Sequence, residues 1–192
     1  MKKSIVFILL VLVFVGCATM MFGTKYVYQY ELVKPASKDM SFTDENIQIK
    51  FTIGEKSVGF TLKNVGSTVL KVLWDEANIV QNGAVKKTFH VGVKYSEKNN
   101  SQPPSTIPPN ATLDDQLTPT ENAHYVSGQY GGWDEYDLFP TTDFNKEETK
   151  KAILDTKGTT FSVYIPVKID DKTKDYLFEF KVIGVAPKDA EK

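Results

Sequence analysis

Ile47, Ile49, Phe51 and Ile53 alternate with Gln48, Lys50 and Thr52, the period-two pattern of a strand with one buried and one wet face. The alternation returns at Val58-Gly59-Phe60-Thr61-Leu62 after a Gly54-Glu55-Lys56 turn, and Asn64 to Ser67 breaks it. Tyr26 to Val33 is rich in strand formers, and Val69 to Trp74 reads as another strand. Asn82-Gly83 separates Ile79-Val80 from the Val85 to Val93 run, a strong hairpin signal. Thr112 to Leu117 predicts one strand more. Near the C-terminus Phe161, Val163, Ile165 and Val167 share one face, and so do Tyr176, Phe178, Phe180 and Val182 after the turn at Asp170-Asp171-Lys172. Pro35 to Glu45 is turn-like, and Lys98 to Ala111, with its two Pro-Pro pairs, reads as a loop. Asn145 to Asp155 is the helical candidate. Asn145 and Glu148 have capping-box spacing, and Gly158 is placed to end it.

About eight or nine short strands with one short helix predict an all-β fold, an antiparallel β-sandwich. A small closed barrel is the alternative. Phe60, Leu62, Val72, Trp74, Val163, Ile165, Phe178 and Phe180 are expected in the core.

The start of the chain follows a different pattern. Met1-Lys2-Lys3 and Ser4 precede Ile5 to Val15, which has no polar residue, and Gly16-Cys17-Ala18 follows. These are the charged, apolar and small-residue parts of a secretory signal. Phe14-Val15-Gly16-Cys17 resembles the bacterial lipobox, although the family prefers Leu where Phe14 stands. The resemblance implies cleavage before Cys17 and a diacylglycerol thioether on its sulfur. Two or three acyl chains, as bacterial lipoproteins carry, would hold the protein where one alone is marginal. Ala18 stands where many Gram-negative lipoproteins have an inner-membrane retention Asp, so an outer membrane is the implied destination in such a host. The competing reading is an uncleaved anchor, because Ile5 to Gly23 is close to the ~20 residues of a spanning helix. That reading leaves the Gly16-Cys17 placement as coincidence.

The strand pattern carries a second resemblance. Phe60-Thr61-Leu62-Lys63-Asn64 followed by Val69-Leu70-Lys71-Val72, and Gly158 to Val167 leading into Tyr176-Leu177-Phe178-Glu179-Phe180, resemble the immunoglobulin-like domains of bacterial envelope lipoproteins. Such domains usually have no catalytic site, so the resemblance implies an accessory or binding role and transfers no functional residues.

The expected organisation is a signal peptide over residues 1–16, a lipidated cysteine and short tether over 17–25, a β-sandwich domain over 26–187 and a tail over 188–192. Ala18 to Lys25 reaches at most ~28 Å when extended, so the domain would sit close to the membrane.

Composition then narrows the partners. Lys2 and Lys3 leave with the signal, so 23 basic residues become 21 against 24 acidic ones, a charge of −3. Every basic residue is lysine. Without arginine the chain lacks the planar fork that reads phosphates and guanine edges, which weighs against nucleic acid. Cys17 is the only cysteine, so no internal disulfide exists and the fold must rest on packing.

Catalytic chemistry finds little support. His90 and His124 are isolated, and no G-x-S-x-G elbow is present. His90, between Phe89 and Val91 in a strand, reads as structural. Two scattered histidines and one lipidated cysteine make no zinc set. Asp134, Glu135 and Asp137 lack the spacing of a calcium loop. No metal, cofactor or catalytic residue is expected, and the protein reads as a non-enzyme.

His124 to Phe139 is the most informative segment. Tyr125, Tyr130, Trp133 and Tyr136 offer flat faces with polar tips, the glycines let a partner come close, and the acids accept hydrogen bonds. That mixture suits sugar rings or a peptide surface. The competing reading is that these rings cover an open end of the sandwich. The expectation is a lipid-anchored cell-envelope protein with a non-enzymatic binding or structural domain, its partner an envelope protein or a glycan. The alternative is a carbohydrate-active or hydrolytic lipoprotein using residues 124–139.

Cys17→Ser should abolish palmitate labelling and leave the precursor uncut at Gly16; a mutant processed and labelled like the parent contradicts the lipobox reading.

Overall fold

Alternating sequence becomes antiparallel ladder in the computed structural model of the protein, which describes residues 23–188. Cys17 and the signal segment lie outside the described residues. In chain order the strands are β1 (Tyr26–Lys34), β2 (Ala36–Ser37), β3 (Ser41–Thr43), β4 (Ile47–Ile53), β5 (Val58–Asn64), β6 (Leu70–Val72), β7 (Asn78–Gln81) and β8 (Ala84–His90). Then come β9 (Ser105–Ile107), β10 (Thr112–Pro119), β11 (Ala123–Val126), β12 (Gly132–Glu135), helix α1 (Glu147–Asp155), β13 (Thr160–Ile169) and β14 (Lys172–Pro187). Among the described residues α1 is the single α-helix, and no helix is long and apolar enough to cross a membrane.

The chain divides into two units. The larger is Tyr30–Leu138 with Gly158–Ile183; the smaller, within the described range, is residues 23–29, 139–157 and 184–188. In the smaller unit Tyr26 N–H donates to Thr141 O at 2.7 Å and Lys188 N–H to Lys25 O at 2.8 Å. The Tyr28 ring lies 5.6 Å from Phe139, and Ile153 of α1 is fully buried. Asn145 does not cap α1. It has a φ of 57°, and the N-cap position is Lys146, with no side-chain cap.

In the larger unit the ladder is continuous where an immunoglobulin-like sandwich would divide it into two sheets. β8 is the reason. Residues 84–87 pair with β7 and residues 88–90 pair with β10, so one strand belongs to both halves. The Asn82-Gly83 turn has φ values of 53° and 76°, as a two-residue hairpin of matching twist requires. At the change of partner, Thr88 faces Pro119, which has no N–H to give. Gln102 takes over: its Nε2 donates to Thr88 O at 2.9 Å, and its Oε1 accepts from His90 N–H at 3.1 Å. The segment read as a plain loop therefore does structural work. It also holds β9, which pairs with β6 through Leu70↔Ile107.

The sheet then curls until its halves meet. Phe51 of β4 lies 4.7 Å from Phe178 and 5.0 Å from Phe180 of β14, both T-shaped. Phe42, on edge strand β3, packs on Tyr176 and Phe178. The long hairpin β13–β14 sets Phe161 opposite Phe180 and Val163 opposite Phe178, so the two apolar faces read from sequence become one. All eight residues expected in the core are buried. Each such aromatic contributes roughly 1.5–3 kcal/mol through burial, and each well-placed ring pair ~0.5–1.5 kcal/mol more. The result is antiparallel and all-β with one short helix, and the curl of the larger unit is barrel-like.

One carboxylate pins the edge of this curl. Asp44 accepts from Asn46 N–H at 2.8 Å, Ile47 N–H at 2.9 Å and the Tyr176 hydroxyl at 2.9 Å, and Lys174 Nζ stands 2.9 Å away. Burial pushes the Asp44 carboxyl up, but the hydrogen bonds from Ile47, Lys174, Asn46 and Tyr176 outweigh it, so it sits below the usual carboxylate range. A carboxylate depressed on folding adds stability that is present above its unfolded value of about 3.9 and is lost as pH falls through the folded value. The parent should therefore lose stability below about pH 4. Asp44→Asn should be less stable than the parent at pH 7 and should lose less on going to pH 3, as read by urea unfolding. An equal gap at both pH values contradicts this role.

Candidate functional site

The segment 123–135, without clear period in the sequence, folds as a separate two-stranded hairpin in the larger unit. β11 and β12 pair through Ala123↔Glu135, His124↔Asp134, Tyr125↔Trp133 and Val126↔Gly132. Glycine makes the tip. Gly131 N–H donates to Gly128 O at 3.0 Å, which places Gln129 and Tyr130 at the corner of the turn. A Cβ on Gly131 would stand 2.2 Å from Val126 O, so only glycine closes it. Tyr130 is thereby held out at 95% exposure.

Register sorts the other rings onto two faces. On one, Tyr125 meets Trp133 edge-on at 5.8 Å, and Trp133 stacks on Tyr95 at 5.7 Å. Tyr95 in turn packs against buried Phe89 at 5.9 Å, so a file of rings runs from core to surface. On the other, Tyr136 stacks on His124 at 3.9 Å and 9°. Tyr125 and Tyr136 are more than half exposed, and Trp133 is 41% exposed. The structure thus brings Tyr125 and Trp133 together and leaves Tyr130 and Tyr136 apart from them.

The hairpin base is fixed by groups that sequence reading did not single out. Lys98 Nζ donates to Thr120 O at 2.6 Å and to Ala123 O, and lies 5.6 Å from the Trp133 ring centre. Tyr136 N–H donates to Asn122 O at 3.0 Å, and Leu138 N–H to Glu55 O at 2.7 Å. Tyr95 and Lys98 come from a short turn about 30 residues upstream, and no local signal ties them to the hairpin.

Charge is arranged on the second face. Lys56 Nζ bonds Asp134 Oδ1 at 2.9 Å, and that bond draws the Asp134 carboxyl down. The same bond raises the Lys56 ammonium, with smaller help from Glu135 and Asp137. The Tyr95 hydroxyl is pushed up by burial and then by Glu135. Asp134 is exposed beside the His124–Tyr136 stack, where it can accept hydrogen bonds from hydroxyl or amide groups, while Glu135 and Asp137 are half-buried.

Comparison with protein-family models, with curated proteins and with solved structures finds no match.

His90 is the other group with defined surroundings. Its Nδ1 lies 3.1 Å from Asp115 Oδ2, and its ring stacks on buried Trp74 at 4.3 Å and 8°. Asp115 Oδ1 accepts from Val91 N–H at 2.9 Å, and Trp74 Nε1 donates to Ser105 Oγ at 2.9 Å. These bonds splice β8, β9 and β10, which accounts for the pair structurally.

Tyr130→Ala should change stability by less than ~0.5 kcal/mol, as for an isolated surface change. Trp133→Ala should cost more, through the Tyr95 stack, yet less than the ~3–5 kcal/mol of a fully buried aromatic. Urea midpoints read both. Equal losses in the two variants contradict the layered arrangement.

Proposed function

We propose that the chain is a lipid-anchored protein of the cell envelope whose β11–β12 hairpin binds another envelope component, a protein or a glycan, without catalysing a reaction. The observation that carries this reading is the placement of Tyr130 and its neighbours. A two-stranded hairpin outside the main ladder holds Tyr125, Tyr130 and Tyr136 more than half exposed. Large rings cost free energy when left in water, and rings on a braced support lose little entropy on capture. The anchor part of the proposal is supported by the Phe14-Val15-Gly16-Cys17 match and the apolar run before it. We propose too that the larger unit is a variant of the immunoglobulin-like sandwich, a reading supported by facing ring sets on β4 and β14, with β8, which pairs with both halves, as the departure from that pattern.

A photo-crosslinking residue placed at Tyr130 tests the site in the native envelope. Light should give a discrete adduct there, identified by mass spectrometry, and none from the same residue at exposed Val85 near the start of β8. Adducts at neither position, or the same adducts at both, contradict the hairpin as the binding surface.

A further inference from the structure

We propose that Phe144, in the smaller unit, is a membrane-contact residue whose ring enters the headgroup–acyl boundary of the bilayer that would hold Cys17. This rests on the lipid-anchor reading above. Phe144 is 65% exposed, and no aromatic ring among the described residues packs on it. Its backbone is strained. Phe144 has a φ of 50° and Asn145 a φ of 57°, two left-handed residues in succession. Asparagine tolerates that region; a bulky side chain there is an outlier, of the kind that clusters at functional surfaces.

The strain is held by Asp143. Its Oδ1 accepts from Thr24 N–H at 2.8 Å and from Asn145 N–H at 2.9 Å, and its own N–H donates to Thr24 O at 3.1 Å. The loop is therefore tied to the place where the chain arrives from Cys17. Gly23 shows how closely: a Cβ there would stand 2.5 Å from Phe144 N and 2.7 Å from Phe144 Cα. The path from Cys17 to Gly23 spans six residues and reaches at most ~21 Å. An exposed ring thus stands beside the tether's point of entry.

The charge around it says what kind of surface it fits. Over the described residues of the smaller unit six lysines meet four acidic residues, a small positive excess. A zwitterionic lipid surface has no net charge for that excess to meet, so there the contact is apolar and should be insensitive to salt. A protein partner is the other occupant such a ring could take, and the test separates the two.

The full chain carrying Phe144→Trp is placed in protein-free vesicles of zwitterionic phosphatidylcholine with brominated acyl chains. The parent, with Trp74 and Trp133, gives the baseline. The added emission should fall about two-fold or more in brominated against plain lipid, at low and high salt alike. No quenching of that emission in a chain that has taken up palmitate overturns the membrane contact, leaves the anchor standing, and points to a protein occupant. Absence of palmitate from the parent overturns the anchor reading and this inference with it.

Discussion

Phe51, set between Phe178 and Phe180 at 4.7 and 5.0 Å, is the contact on which the larger unit depends. It joins β4, one strand in from the β3 edge, to β14, elements more than 100 residues apart in the chain. With a single cysteine, no covalent bridge can do this work. Dispersion and burial must, and edge-to-face rings give both area and a fixed geometry. From this contact the file continues through Phe60 to Trp74 and His90 on one side, and through Phe180 to Phe161 and Tyr30 on the other. Asp44 and Gln102 then close the polar accounts at the two places where the sheet bends or changes partner.

A second file of rings relates stability to the proposed binding surface. Phe89 supports Tyr95, Tyr95 supports Trp133, and Trp133 supports Tyr125. Each step outward trades burial for exposure, and the file ends in rings that the core does not need. Tyr130, on a turn only glycine can close, contributes nothing to the core at 95% exposure. A chain selected for folding alone would have little use for it, and that is the physical ground for reading the hairpin as a binding surface.

Strands with one wet face were legible in the sequence, because alternation encodes both the element and its inner side. β4, β5, β13 and β14 are of this kind, and the Asn82-Gly83 turn was legible from its required positive φ. β9 was hidden by the Pro-Pro pairs around it, since three residues carry too little periodicity to outweigh turn formers. The β11–β12 hairpin was hidden for a related reason: both of its faces carry rings, so no alternation survives. Its residues were nonetheless singled out by their chemistry. The braces from Tyr95, Lys98 and Lys56, the partner change along β8 and the strained Phe144 depend on tertiary placement, which one sequence does not display.

On the proposed reading this chain is an envelope protein held by lipid, with packing for a frame and an aromatic hairpin for a working surface. Intact mass spectrometry of the mature protein from its own membranes tests that most directly. The expected result is an N-terminus at Cys17 carrying a diacylglycerol adduct, with residues 1–16 gone. A mature chain that keeps Met1 to Gly16, or begins elsewhere with Cys17 unmodified, would contradict it.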